Sequence, residues 1–134
     1  MIDVRLFRRT FILLFIVAVL NLLATQLYLY WTTWWFDMVV HFLAGGVVAM
    51  ATLLFWPHIN KVKIHTTSQI IFVAIMGTII IGLLWEIYEL YFHITFLSDG
   101  IMYTTDTISD LLMDISGGFV GAVYSLKLIK VNEK

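Results

Sequence analysis

Positive charge in this chain comes in three clusters, and the stretches between them are too long and too apolar for a soluble fold. The clusters are Arg5, Arg8 and Arg9; Lys61 and Lys63; Lys127, Lys130 and Lys134. Together they are all eight lysines and arginines. Seven of the nine acids fall near the opposite ends of the apolar stretches: Asp37, Glu86, Glu89, Asp99, Asp106, Asp110 and Asp114. Lysine and arginine stay on the cytoplasmic side during insertion. This split therefore predicts a bilayer protein with the acids gathered at an outward-facing rim.

Composition agrees. The chain has 134 residues, 61% hydrophobic and only 13% charged, roughly half the charge of an ordinary soluble domain. No basic patch suits a nucleic acid, so none is expected as a partner; membrane lipids are. The absence of cysteine excludes disulfides, thiolate metal sites and thiol catalysis. The basic start followed by an apolar run from Phe11 resembles a signal peptide. The run continues to about Tyr30 without a small-x-small cleavage site, so it is expected to be a retained transmembrane helix.

A spanning helix needs about 20 mostly apolar residues. Four stretches qualify, at about 6–30, 34–56, 68–92 and 105–129, the second ending near the lone Pro57. The expected fold is all-α: a single-domain, integral membrane four-helix bundle in the cell (inner) membrane, with both termini cytoplasmic. Tyr28, Tyr30, Trp31, Trp34, Trp35, Tyr88, Tyr91 and Tyr103 crowd the outer ends, as an interfacial aromatic belt would.

The polar residues of the outer ends follow helical spacing. Asp37 and His41 are i,i+4. Glu86, Glu89 and His93 are i,i+3,i+7. Asp106, Asp110 and Asp114 are i,i+4,i+8. Each set thus lies along one face of its helix. Asp114 precedes Lys127 by 13 residues, about 20 Å of helix, which places it inside a hydrocarbon core about 30 Å thick. One turn deeper than His41, Glu86 and Asp114 lie Gly45, Gly82 and Gly118, with Gly117-x-x-x-Gly121 and Gly45-x-x-x-Ala49 alongside. Small residues let membrane helices approach closely, so a tightly packed floor is expected beneath a polar pocket.

Simpler roles compete for some of these residues. Asp37 and Asp106 suit N-caps, Asp99 a turn, His93 an interfacial loop, and His58 and His65 the cytoplasmic loop. Asn21 and Gln26 suit a hydrogen bond to a neighbour. For His41, Glu86 and Asp114 the cost of a buried carboxylate, about 2.5–3.5 kcal/mol on insertion scales, demands compensation. No lysine or arginine is available on that side. A bound divalent metal (Mg, Mn, Zn or Fe), a network of protonated carboxyls, or a purely structural role each answer that demand. In the metal reading the ligands come from His41, Glu86, Asp110, Asp114 and Asp37. Helical carboxylates and imidazoles build such sites in soluble bundles.

The motifs Asp37-Met-Val-Val-His41-Phe42, Trp85-Glu86-Ile-Tyr-Glu89 and Asp106-Thr107-x-x-Asp110-x-x-x-Asp114-x-x-x-Gly118 resemble the YjdF-like family of bacterial inner-membrane proteins. More distantly they are similar to VanZ-like proteins, associated with glycopeptide (teicoplanin) resistance. There Asp114 stands where asparagine is usual and Glu89 near a usual glutamine. The resemblance covers about Asp37 to Gly121 and implies a compact multi-helix membrane protein, with no activity to carry over.

Three functions fit these residues. One is a metal-dependent hydrolase acting on lipid or polyprenyl head groups, with Glu89 or Asp106 as general base. Another is cation or proton handling, for which a continuous path needs a homo-oligomer. The third is a non-catalytic structural or stress-tolerance protein.

Overall fold

The computed structural model describes residues 4–60 and 66–129. Lys61, Lys63, His65, Lys130 and Lys134 lie outside the described residues, as does the side chain of His58. The described chain is all-helical. The long helices are α1 (Val4–Gln26), α3 (Phe36–Asn60), α4 (Thr67–Tyr91) and α5 (Ile101–Leu126); α2 (Leu29–Thr32) is a single turn after α1, and a 3-10 turn at Leu97–Asp99 precedes α5.

Helix boundaries depart from the sequence expectation for identifiable reasons. The first helix stops at Gln26 because Tyr28 adopts a left-handed conformation (φ 56°), which breaks the hydrogen-bond ladder. α3 runs through Pro57 to Asn60, since a proline near a helix end forfeits only one ladder bond. α4 starts on a capping box. The Thr66 hydroxyl accepts from the Gln69 N–H at 3.2 Å, and the Gln69 side chain accepts from the Thr66 N–H at 3.2 Å. α5 begins at Ile101, four residues earlier than expected, at the positive-φ Gly100.

Among the described residues, three helical segments are long and apolar enough to cross a membrane: Val4–Gln26, Phe36–Pro57 and Thr67–Tyr91. α5 is long enough, at 26 residues, but its three aspartates keep it out of that apolar class. Two of the three are buried, so their charge lies toward the helix interfaces.

The helices pack around α3, which contacts α1, α4 and α5; α4 also packs on α5. The two ends of this helical packing differ in content. Near one end Leu6, Ala49, Met50, Leu53, Leu54, Ile70, Val73, Ala74 and Ala122 form the apolar core. The arginine cluster lies at this end. Arg5 donates from its guanidinium to the Leu128 carbonyl at 3.1 Å, tying the start of α1 to the end of α5. Buried hydroxyls here and at mid-depth are satisfied within their own helices: Thr10 bonds to the Leu6 carbonyl, Thr78 to Ala74 and Ser125 to Gly121, at 2.8–2.9 Å. That suits an environment with no water to replace a partner. At the other end lie all the described acids, surrounded by exposed Tyr28, Trp31, Trp34, Trp35, Tyr88 and Tyr91.

Between the two ends, glycine allows backbone contact. A Cβ on Gly45 would collide with the Asp114 carbonyl group, and one on Gly117 with the Phe42 carbonyl. A Cβ on Gly121 would approach the Gly46 carbonyl to 2.8 Å, and one on Gly118 the Thr78 hydroxyl to 2.6 Å. α3 and α5 therefore touch backbone to backbone over two turns, as small-residue membrane interfaces do.

Candidate metal centre

The backbone contact at Gly45 and Gly117 sets the spacing of everything one turn above it. His41 is one turn from Gly45 on α3, and Asp110 and Asp114 are on the facing stripe of α5. Close helices put these side chains in reach of each other. The His41 Nδ1 lies 3.2 Å from Asp114 Oδ1. The other ring nitrogen, Nε2, faces Asp37 Oδ1 at 3.7 Å and Asp110 Oδ2 at 3.8 Å. His41, Asp110 and Asp114 are all under a tenth exposed, while Asp37 is partly open.

This arrangement orients the histidine. An ionised carboxylate only accepts hydrogen bonds, so with Asp114 ionised the tautomer that bonds it carries its proton on Nδ1. In the neutral ring the lone pair is then on Nε2, aimed between Asp37 and Asp110. Both Nε2–oxygen distances exceed a hydrogen bond. One ligand atom each from Asp37, His41 and Asp110 lies within 4.8 Å of the other two. Two helices thus offer two carboxylate oxygens and an imidazole nitrogen around one gap. An imidazole whose far nitrogen is held by a carboxylate is the usual support for a metal-bound histidine.

The remaining expected site residues divide. Glu86 is buried on α4, but its Oε2 accepts from the Thr107 hydroxyl of α5 at 2.6 Å. It belongs to the α4–α5 seam and stands apart from the trio, yet close enough to Asp110 for their charges to interact. Asp114 directs its second oxygen toward α4, where a Cβ on Gly82 would lie 2.9 Å from Oδ2. Glu89 is partly buried and its Oε1 accepts from the Trp85 indole N–H at 2.9 Å. Asp106 is exposed, in the second turn of α5. The N-cap reading of Asp106 fails, because that position belongs to Gly100. Asp37 sits in the first turn of α3, where a negative charge complements the helix dipole.

The rim carries a further polar contact. The Tyr30 hydroxyl donates to Asn21 Oδ1 at 2.6 Å. Burial, with the carboxylates of Asp37 and Glu89 nearby, pushes the Tyr30 hydroxyl up to about 12. It therefore remains a donor at any physiological pH. Thr107 stands in the Asp106-Thr107-x-x-Asp110 motif but is not among the site residues expected from the sequence. Its signal is spacing: Thr107, Asp110 and Asp114 are i,i+3,i+7, on one stripe of α5.

A family model described as a predicted membrane protein (DUF2238) matches residues 3–130. The chain belongs to this family. For this DUF2238 protein, comparison with curated proteins and with solved structures finds no match. The family's description agrees with the apolar helices on a membrane location.

Proposed function

We propose that this protein binds one divalent metal ion among Asp37, His41 and Asp110, with Asp114 holding the imidazole, and uses it on the outer face of the cell (inner) membrane. The observation that carries this reading is the convergence of three ligand atoms from two helices within 4.8 Å of each other. All the described lysines and arginines lie at the opposite end, so no lysine or arginine there offsets the carboxylates, and one imidazole faces three of them. A metal ion supplies the missing charge. One nitrogen and two oxygens suit Mn²⁺, Zn²⁺ or Fe²⁺ better than Mg²⁺, which favours an all-oxygen shell.

Three protein ligands leave coordination positions free, the pattern of catalytic rather than structural sites. A divalent ion there would act as a Lewis acid toward a phosphoryl or acyl oxygen. The chain's own groups complete the reading as a hydrolase of lipid or polyprenyl head groups. Glu89 and Asp106 lie toward the wet rim, where a carboxylate can take a proton and return it to water. The aromatic rim would hold an amphipathic substrate with its head group at the ion's level and its tails in lipid.

In this account α5 is the fourth crossing, its aspartates turned inward, and both termini are cytoplasmic with the positive clusters. The Asp-x-x-x-His-Phe and Asp-x-x-x-Asp-x-x-x-Gly elements support placing the chain with YjdF-like proteins. The close backbone packing of α3 on α5 below Asp114 argues against a cation path through one chain. Conduction would need an oligomer.

The test is elemental analysis of detergent-purified protein dialysed against Mn²⁺ or Zn²⁺. One equivalent per chain is expected for the native protein and less than a tenth of that for Asp110→Asn and His41→Ala. Native protein that retains no metal would overturn the proposal.

A further inference from the structure

A second feature lies away from the carboxylates, on the outer side of the α1, α3 and α5 contact. An apolar groove of about 280 Å³ runs along these helices. Its floor is backbone, because Gly46 and Gly121 supply no side chains. Val120 forms part of one wall, Phe42 lines the groove on the side of the acidic end, and Arg9 and Tyr124 line it on the side of the basic end. The contact of Arg5 with Leu128 fixes that register, since it sets the start of α1 beside the end of α5.

We infer that this groove holds one acyl chain of an anionic phospholipid from the leaflet on the basic side, with Arg9 at the lipid phosphate. Size argues for a hydrocarbon chain. From Arg9 to Ile16 the groove follows seven residues of α1, roughly 10 Å of rise. About 280 Å³ over that length gives a mean cross-section of roughly 28 Å². A helix with its side chains is about 10–12 Å across and does not fit. A single lipid tail does.

Charge argues for the head group. Arg9 is exposed at the mouth, with Arg8 beside it in sequence, and every described acid lies at the far end of the bundle. Basic residues at the cytoplasmic ends of membrane helices attract anionic lipid heads by about 1 kcal/mol each. Tyr124 lines the same end with an amphipathic ring, the residue type that settles at head-group level. The inference does not depend on the metal centre.

The test is native mass spectrometry of the full chain, delipidated in detergent and titrated with phosphatidylglycerol or phosphatidylcholine of identical tails. One phosphatidylglycerol per chain is expected, held roughly fivefold more tightly than phosphatidylcholine. Arg9→Gln should bring the two lipids to equal retention. Val120→Phe, a change at an exposed wall position, should weaken both by narrowing the groove. Metal content should be unchanged in both variants, which separates a failure here from a failure of the metal proposal. Equal retention of the two lipids by the native chain, a preference that survives Arg9→Gln, or a second copy of the chain covering the groove would overturn the inference.

Discussion

The upper and lower halves of the α3–α5 seam use one geometry for opposite purposes. In the lower half the facing positions are Gly45, Ala49, Gly117 and Gly121, and the backbones touch. In the upper half the same stripes carry Asp37, His41, Asp110 and Asp114, and the side chains meet in the space the backbones leave. The lower half is cheap to bury and sets the distance. The upper half is costly to bury and carries the proposed metal ligands. The comparison teaches that the site's spacing is decided a turn below it.

The largest expected effect breaks that link. Gly45→Ala puts a methyl group into the Asp114 carbonyl, backbone that cannot rotate away. The helices must part, at a cost of about 1–3 kcal/mol for overpacking, and the metal centre should open with them. A drop in thermal midpoint together with loss of bound metal is the expected result; a variant with native stability and full metal content would show the floor to be irrelevant.

Next in size is Asp110→Asn. Metal affinity should fall by more than about a hundredfold, beyond what loss of an orienting partner costs, while the metal-free protein should become more stable than native, because one of several crowded carboxylates has been neutralised. Destabilisation of the metal-free form would contradict a site built for an ion. Asp114→Asn should do less, weakening metal affinity about 10–100-fold without abolishing it, since orienting partners act through the ligand they hold. Titration with Zn²⁺ ranks the two variants. The smallest effect belongs to Gly46→Ala. A Cβ there would meet the Gly117 carbonyl at 3.5 Å and Leu13 at 3.6 Å, ordinary contact distances. Thermal midpoint and metal content should stay near native, so the adjacent glycines 45 and 46 should differ sharply in the same assay.

Much of this seam was legible in the sequence. The i,i+4 ladders put Asp37 with His41, and Asp110 with Asp114, each on one face. The glycines one turn deeper, Gly45, Gly82 and Gly118, all prove to sit at close approaches to a neighbouring helix. Periodicity reports faces. It does not report which atom meets which. Nothing in the spacing says that Asp114 takes Nδ1 while Asp37 and Asp110 face Nε2, or that Glu86 turns to Thr107. Those choices depend on helix rotation and separation, which are set by three-dimensional packing. The start of α5 was missed because Gly100 can begin a helix as well as a turn, and hydropathy gave no reason to begin before the aspartates. The same aspartates leave α5 outside the apolar class of the other long helices, because hydropathy averages a helix whose polar and apolar residues lie on different faces.

The central claim is that the His41 imidazole and the Asp37 and Asp110 carboxylates bind one ion together. Pulsed electron paramagnetic resonance of the Mn²⁺-loaded protein tests it directly. The account predicts a single bound Mn²⁺ whose spectrum carries nitrogen modulation from one imidazole, lost in His41→Gln. A bound Mn²⁺ with no nitrogen coupling, or coupling that survives His41→Gln, would contradict it.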